Sequence, residues 1–153
     1  VIAECWALAV DRGRLAAMSG RGGAASPTWT VVVPDGASPA EALVATAPLR
    51  LTPALPHSTS WRFVDGAVVL SFVAVAAEPP PEGLVPIAPY DPARRPGGAI
   101  GHDEVLAHAA RHVAFLLATD PAALGITGAG WLRAAGEHVP TVFRELVRTD
   151  RSC

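Results

Sequence analysis

Two stretches of this chain are apolar on both faces of an extended backbone, and that constrains its fold more than any other feature. Ile2, Trp6, Leu8 and Val10 alternate with Ala3, Cys5, Ala7 and Ala9, and from Ala67 to Ala77 only Ser71 interrupts the apolar residues. Successive side chains of a strand point to opposite faces, so a strand with little polar face has to be covered on both. Such strands belong inside a sheet with helices packed on it, which predicts an α/β fold. Neither stretch approaches the ~20 residues a helix needs to span a bilayer, so no membrane partner is expected.

The segments between these strands carry their own punctuation. Asp11-Arg12-Gly13 is a turn signal that lets Leu15 to Met18 return as a hairpin partner, and Arg21-Gly22-Gly23 marks a loop. Trp29 to Val33 is a short strand of aromatic and β-branched residues, stopped by Pro34-Asp35-Gly36. Ser38 as N-cap, Pro39 in the first turn and Glu41 three residues after Ser38 predict a helix over Ala40 to Ala47, ended by Pro48. Asp65-Gly66 joins strands at Thr59 to Val64 and Ala67 to Ala77.

Prolines recur from Glu78 to Gly98, which predicts an ordered connection over residues 78–101 with a short edge strand near Leu84 to Ile87. Residues 103–118 form the strongest helical pattern, with Val105, Leu106, Ala109, Val113, Leu116 and Leu117 on one face. Trp131 to Glu137 and Thr141 to Arg148, parted by Pro140, predict two short helices in a C-terminal extension over residues 119–153. No internal repeat divides residues 1–153, and a chain of this length forms one ordinary domain.

Composition excludes several classes of function. Apolar residues are 50% and charged residues 17% of the chain, enough core material to fold unaided. The formal net charge is −2, every basic residue is Arg, and Arg94-Arg95 is the only adjacent basic pair, so the stripe that would neutralise nucleic-acid phosphates is missing. Cys5 and Cys153 form no closely spaced metal or redox pair, and no signal-peptide pattern is visible, which suggests a reducing, cytoplasmic setting. The lack of an initiator Met leaves residues before Val1 open.

The order of hairpin, Trp-bearing strand, Pro-Asp-Gly turn, capped helix, long hairpin and later helix resembles the Nudix arrangement over roughly residues 1–118. Its most specific stretch is Trp29-Thr30-Val31-Val32-Val33-Pro34-Asp35-Gly36 followed by Ser38-Pro39-Ala40-Glu41-Ala42, similar to the approach to a Nudix box. The resemblance implies a mixed sheet packed between helices, here with extra C-terminal helices, and hydrolysis of diphosphates through Mg²⁺ or Mn²⁺ held by a cluster of carboxylates. The box itself is degenerate. Counted from Gly36, its first Glu falls on Ala42 and its Arg on Arg50, but the acidic positions are Leu51, Ala54 and Leu55; counted from the helix start they are Thr46, Leu49 and Arg50. Hard cations need oxygen ligands that these side chains do not offer. Glu41, the only carboxylate between Gly36 and Val64, is placed to cap its helix.

Other clusters carry weaker signals. Glu104, His108 and His112, four apart on one helix, have metal-ligand spacing, but Ala109 stands where a zincin would have its Glu, and a solvated face opposite the apolar stripe explains all three. His57-Ser58-Thr59-Ser60-Trp61-Arg62 is the densest polar and aromatic cluster, so His57, Ser58, Ser60, Trp61 and Arg62 are the candidate ligand-binding residues. On a regular strand Ser58, Ser60 and Arg62 share one face and His57, Thr59 and Trp61 the other, so the cluster is no catalytic unit. Trp61 packed in the core with Arg62 in water is its plain structural alternative. Arg94-Arg95 offers two guanidinium groups in a loop that solvation equally explains.

The expectation is a catalytically degenerate Nudix-like domain that binds a small ligand or a protein partner, with no catalytic residue, metal or cofactor assigned. The apolar composition and low charge favour self-association, whose commonest form is a C2 homodimer. The alternatives are a hydrolase whose metal site is displaced onto Glu4, Asp65, Asp103 or Glu104, and a purely structural or interaction protein.

Overall fold

In the computed structural model, described for residues 1–19, 26–78, 83–89, 100–126, 128–141 and 144–145, a mixed sheet lies between helices. Strand β1 (Ile2–Asp11) is central, as its two apolar faces require. It pairs in parallel with β5 (Ala67–Val75), from Ile2 opposite Val69 to Leu8 opposite Val75. Its other edge is shared, for β3 (Trp29–Val32) runs antiparallel beside Ile2 to Cys5 and β2 (Arg14–Met18) beside Leu8 to Asp11. β6 (Leu84–Pro86) pairs with β2, β4 (His57–Val64) with β5, and β7 (Arg144–Glu145) with β4, giving the order β6-β2-β1-β5-β4-β7 with β3 alongside.

Side-chain alternation then sorts the core into two layers. On one face Ala3, Cys5, Phe72 and Ala74 pack with Val33 and with Leu43 of helix α1 (Pro39–Thr46). Ser38 Oγ accepts the Glu41 amide at 3.5 Å, and Trp29 donates its indole N–H to the Leu43 carbonyl at 3.2 Å, tying helix to strand. On the other face Trp6, Leu8, Val73 and Val75 meet Val105, Leu106, Ala109 and Val113 of helix α2 (His102–Thr119), with a short 3₁₀ turn at Pro121–Leu124 and helix α3 (Ala129–Ala135) closing that layer.

Three expectations need correction. Thr141 to Arg148 was expected as a helix, but Arg144–Glu145 pairs in parallel with Ser60 and Trp61 of β4. The open edge of β4 offers unpaired backbone groups, and that outweighs a short segment's weak helical preference. His108 and His112 do not lie on a solvated face; both are 3% exposed, because β4 packs beside the apolar stripe of α2 and widens its buried arc. The expected alternation of His57 to Arg62 fails because β4 carries a bulge: Ser58 lies opposite Phe72 and Ser60 opposite Ser71, leaving Thr59 as an extra residue. Arg21-Gly22-Gly23, residues 79–82 and 90–99 of the proline-rich connection with Arg94-Arg95, residues 142–143 and 146–148 of the expected last helix, and Cys153 lie outside the described residues.

Candidate functional site

One extra residue in β4 reverses the facing of His57. Directly opposed residues share a face of the sheet, so His57, opposite Val73, joins Ser60, opposite Ser71, and Arg62, opposite Val69, on the α2 side. Ser58, opposite Phe72, and Trp61, opposite Leu70, lie on the α1 side. The five candidate residues are therefore divided between two faces. Ser60 is fully buried, its hydroxyl without a hydrogen-bond partner among the described residues; Trp61 and Ser58 are half-buried.

Arg62 is neither in water nor free to take a ligand. Its two terminal nitrogens reach Glu4 Oε1 at 2.6 Å and Oε2 at 2.8 Å, and Nη1 also donates to Ser71 Oγ at 3.0 Å. Ser71 in turn donates to Glu4 Oε1 at 2.7 Å. Glu4, Ser71 and Arg62 are all buried, and the bidentate geometry satisfies both carboxylate oxygens of a charge that would otherwise be costly inside the sheet. This accounts for the two polar residues in otherwise apolar strands: Glu4 and Ser71 are opposite each other on β1 and β5.

Histidines line the seam between β4 and α2. His108 Nε2 lies 3.1 Å from the Thr59 carbonyl exposed by the bulge, and His112 Nε2 lies 3.3 Å from His57 Nδ1. Burial, and then the neighbouring His57, lower the pKa of His112 from 6.5 to about 4, against a smaller upward pull from the Thr141 backbone. His138, also buried, is pushed down by burial and by Arg14, while Glu137 pulls it up. The Cys5 thiol is pushed far up, first by burial and then by the adjacent Glu4, so it is an inert core group.

The other carboxylates considered for a displaced metal site stand apart. Glu104 accepts the Gly101 amide at 2.7 Å at the start of α2, Asp103 is exposed in the same turn, and Asp65 occupies the β4–β5 turn with φ 49°. Glu4 is engaged by Arg62. Arg50 makes an exposed pair with Glu78 at 3.2 Å. Among the described residues no three His, Cys, Asp or Glu side chains stand together in a metal-binding group.

Sequence reasoning missed a groove of about 680 Å³ where the β1–β2 turn meets α3, lined by Arg12, Gly13, Arg14, Arg133 and Glu137. Asp11 pairs with Arg14 across a two-residue loop in which Arg12 and Gly13 have φ 47° and 82°, the primed turn that suits a twisted hairpin. That loop projects Arg12, while α3 supplies Arg133 and the residues after it Glu137. Arg14 Nε donates to Glu137 Oε2 at 3.2 Å, whereas Arg12 and Arg133 have no carboxylate partner among the described residues. Three guanidinium groups against one carboxylate make a positive groove on a chain of net charge −2. The sequence marks only the Asp11-Arg12-Gly13 turn, and the positive φ of Arg12, which Arg seldom adopts, is visible in the structure alone.

No helix among the described residues is long and apolar enough to cross a membrane. Comparison with protein-family models, with curated proteins and with solved structures finds no match to this chain.

Proposed function

We propose that this chain is a degenerate Nudix-like domain that binds a small anionic ligand in the groove of Arg12, Arg14 and Arg133 without hydrolysing it. The observation that carries this reading is the spare positive charge of that groove: Arg12 is held in a backbone conformation that costs an Arg about 1–2 kcal/mol, and neither it nor Arg133 is neutralised by a described carboxylate. Planar guanidinium groups suit phosphate or carboxylate, which they engage through paired N–H donors. Support for the absence of hydrolysis comes from α1, which ends at Thr46 and bears Glu41 as its one carboxylate, in the capping turn.

The test is calorimetric titration of the purified protein with inorganic phosphate and with a nucleoside diphosphate, alongside a phosphate-release assay with Mg²⁺ or Mn²⁺ and a chelator control. Saturable binding that Arg133→Ala weakens at least tenfold, without turnover, is the expected result. Metal-dependent turnover would defeat the non-hydrolytic part of the reading. Binding indifferent to Arg133→Ala, or no binding by folded protein, would remove the groove.

A further inference from the structure

We propose that His57 and His112 form a two-imidazole site for a transition-metal ion, clamping the start of β4 to the middle of α2. His57 Nδ1 and His112 Nε2 are 3.3 Å apart, the ring centroids 5.1 Å apart and the planes inclined by 40°. Two nitrogens each about 2.05 Å from one tetrahedral ion stand about 3.3 Å apart, with ring centres about 5.2 Å apart. The same N···N length fits the hydrogen bond that joins the rings in the metal-free protein, so the geometry supplies two nitrogens already at the spacing that one ion requires.

The scaffold fixes both donors. His57 is held by pairing with Val73 and by the bulge that turns it toward α2, and His112 is buried in the middle of an 18-residue helix. In the metal-free protein one hydrogen lies between the two nitrogens, and His57 Nδ1 is also 3.1 Å from the Ser58 carbonyl. An ion takes the place of that hydrogen when His57 shifts its proton from Nδ1 to Nε2, with no net proton gained or lost. Neutral imidazole selects Zn²⁺, Ni²⁺ and Cu²⁺ and offers nothing to Mg²⁺, which prefers oxygen. Because no third His, Cys, Asp or Glu joins the pair among the described residues, the ion is held by two protein nitrogens alone and exchanges more readily than one in a closed four-ligand site. This site uses none of the residues of the arginine groove and stands whether or not that groove binds anions.

The experiment uses tag-free protein carrying Cys153→Ser, so that the terminal thiol cannot contribute, titrated with Zn²⁺ and separately with Mg²⁺. One equivalent of Zn²⁺ should bind and raise the melting temperature, and Mg²⁺ should do neither. His57→Ala, at a half-buried strand end, should keep its circular dichroism spectrum and bind Zn²⁺ at least tenfold more weakly. Cu²⁺ added to the parent should show two imidazole nitrogens by electron paramagnetic resonance and one in His57→Ala. Absence of saturable Zn²⁺ binding, or equal affinity in folded His57→Ala, overturns the site. If His57→Ala fails to fold, His57→Gln replaces it, with the same loss of affinity required.

Discussion

Arg62 and the pair Arg12 and Arg133 present the same side chain in opposite circumstances. Arg62 is 8% exposed and held through both terminal nitrogens by Glu4 and Ser71, whereas Arg12 and Arg133 stand exposed at the edge of a groove with no described carboxylate to meet. A buried guanidinium is tolerated only because its charge is cancelled within hydrogen-bonding distance, so it has nothing left for a ligand. An exposed guanidinium that the fold leaves unpaired contributes little to stability and keeps its donors for whatever arrives. The structural role and the proposed binding role are thus separated by pairing, not by residue type.

The sharpest way to break this contrast is Arg62→Ala, which strands the buried Glu4 charge. A loss of about 3–5 kcal/mol in urea unfolding is expected, while Glu4→Leu, Arg62→Met and Ser71→Ala together should recover most of it. A loss below about 1 kcal/mol for Arg62→Ala would mean that water reaches Glu4 and the cluster is not the closed unit described.

Acidification probes the same seam through His112. Its folded-state pKa of about 4 lies below its ordinary 6.5, so the unfolded chain takes up a proton first. Stability is full above about pH 6.5 and falls as pH drops toward 4, by on the order of 2–3 kcal/mol, and His138 adds to it in the same direction. His112→Phe should flatten the profile over that window. An unchanged profile would place the responsible groups elsewhere.

At the groove the expected stability effects are small and of opposite sign. Arg12→Asn puts Asn-Gly in the primed turn and should stabilise the protein by about 0.5–1 kcal/mol while weakening phosphate binding. Arg133→Ala should change unfolding free energy by less than about 0.5 kcal/mol, yet weaken the same titration. If Arg12→Asn destabilises instead, Arg12 is a paired structural residue like Arg62 and the contrast fails.

Much of the layering was legible because it rests on local rules. The two-sided apolar patterns of Ile2–Val10 and Ala67–Ala77 became the parallel centre of the sheet, and Ser38 with Glu41 marked the start of α1. Alternation failed at Thr59, where an extra residue moved His57 to the other face without any residue type announcing it. Helical periodicity placed His108 and His112 away from the main stripe but could not foresee that β4 would cover them. Pairings between distant segments were also hidden: Glu4 and Arg62 were both conspicuous singly, and nothing local joins them or brings Arg133 to Arg12.

The divided edge of β1 has a consequence for how the chain assembles. β2 and β3 follow β1 closely and can claim one of its edges early, but its parallel partner comes much later, since Ile2 lies opposite Val69. At ~5–20 residues per second of synthesis, the other edge, with its unpaired backbone N–H and C=O groups, stays open for several seconds before β5 emerges. A strand apolar on both faces therefore waits with an unpaired edge, and chaperone shielding of it during translation should govern the yield of soluble protein more than the stability of the finished fold does.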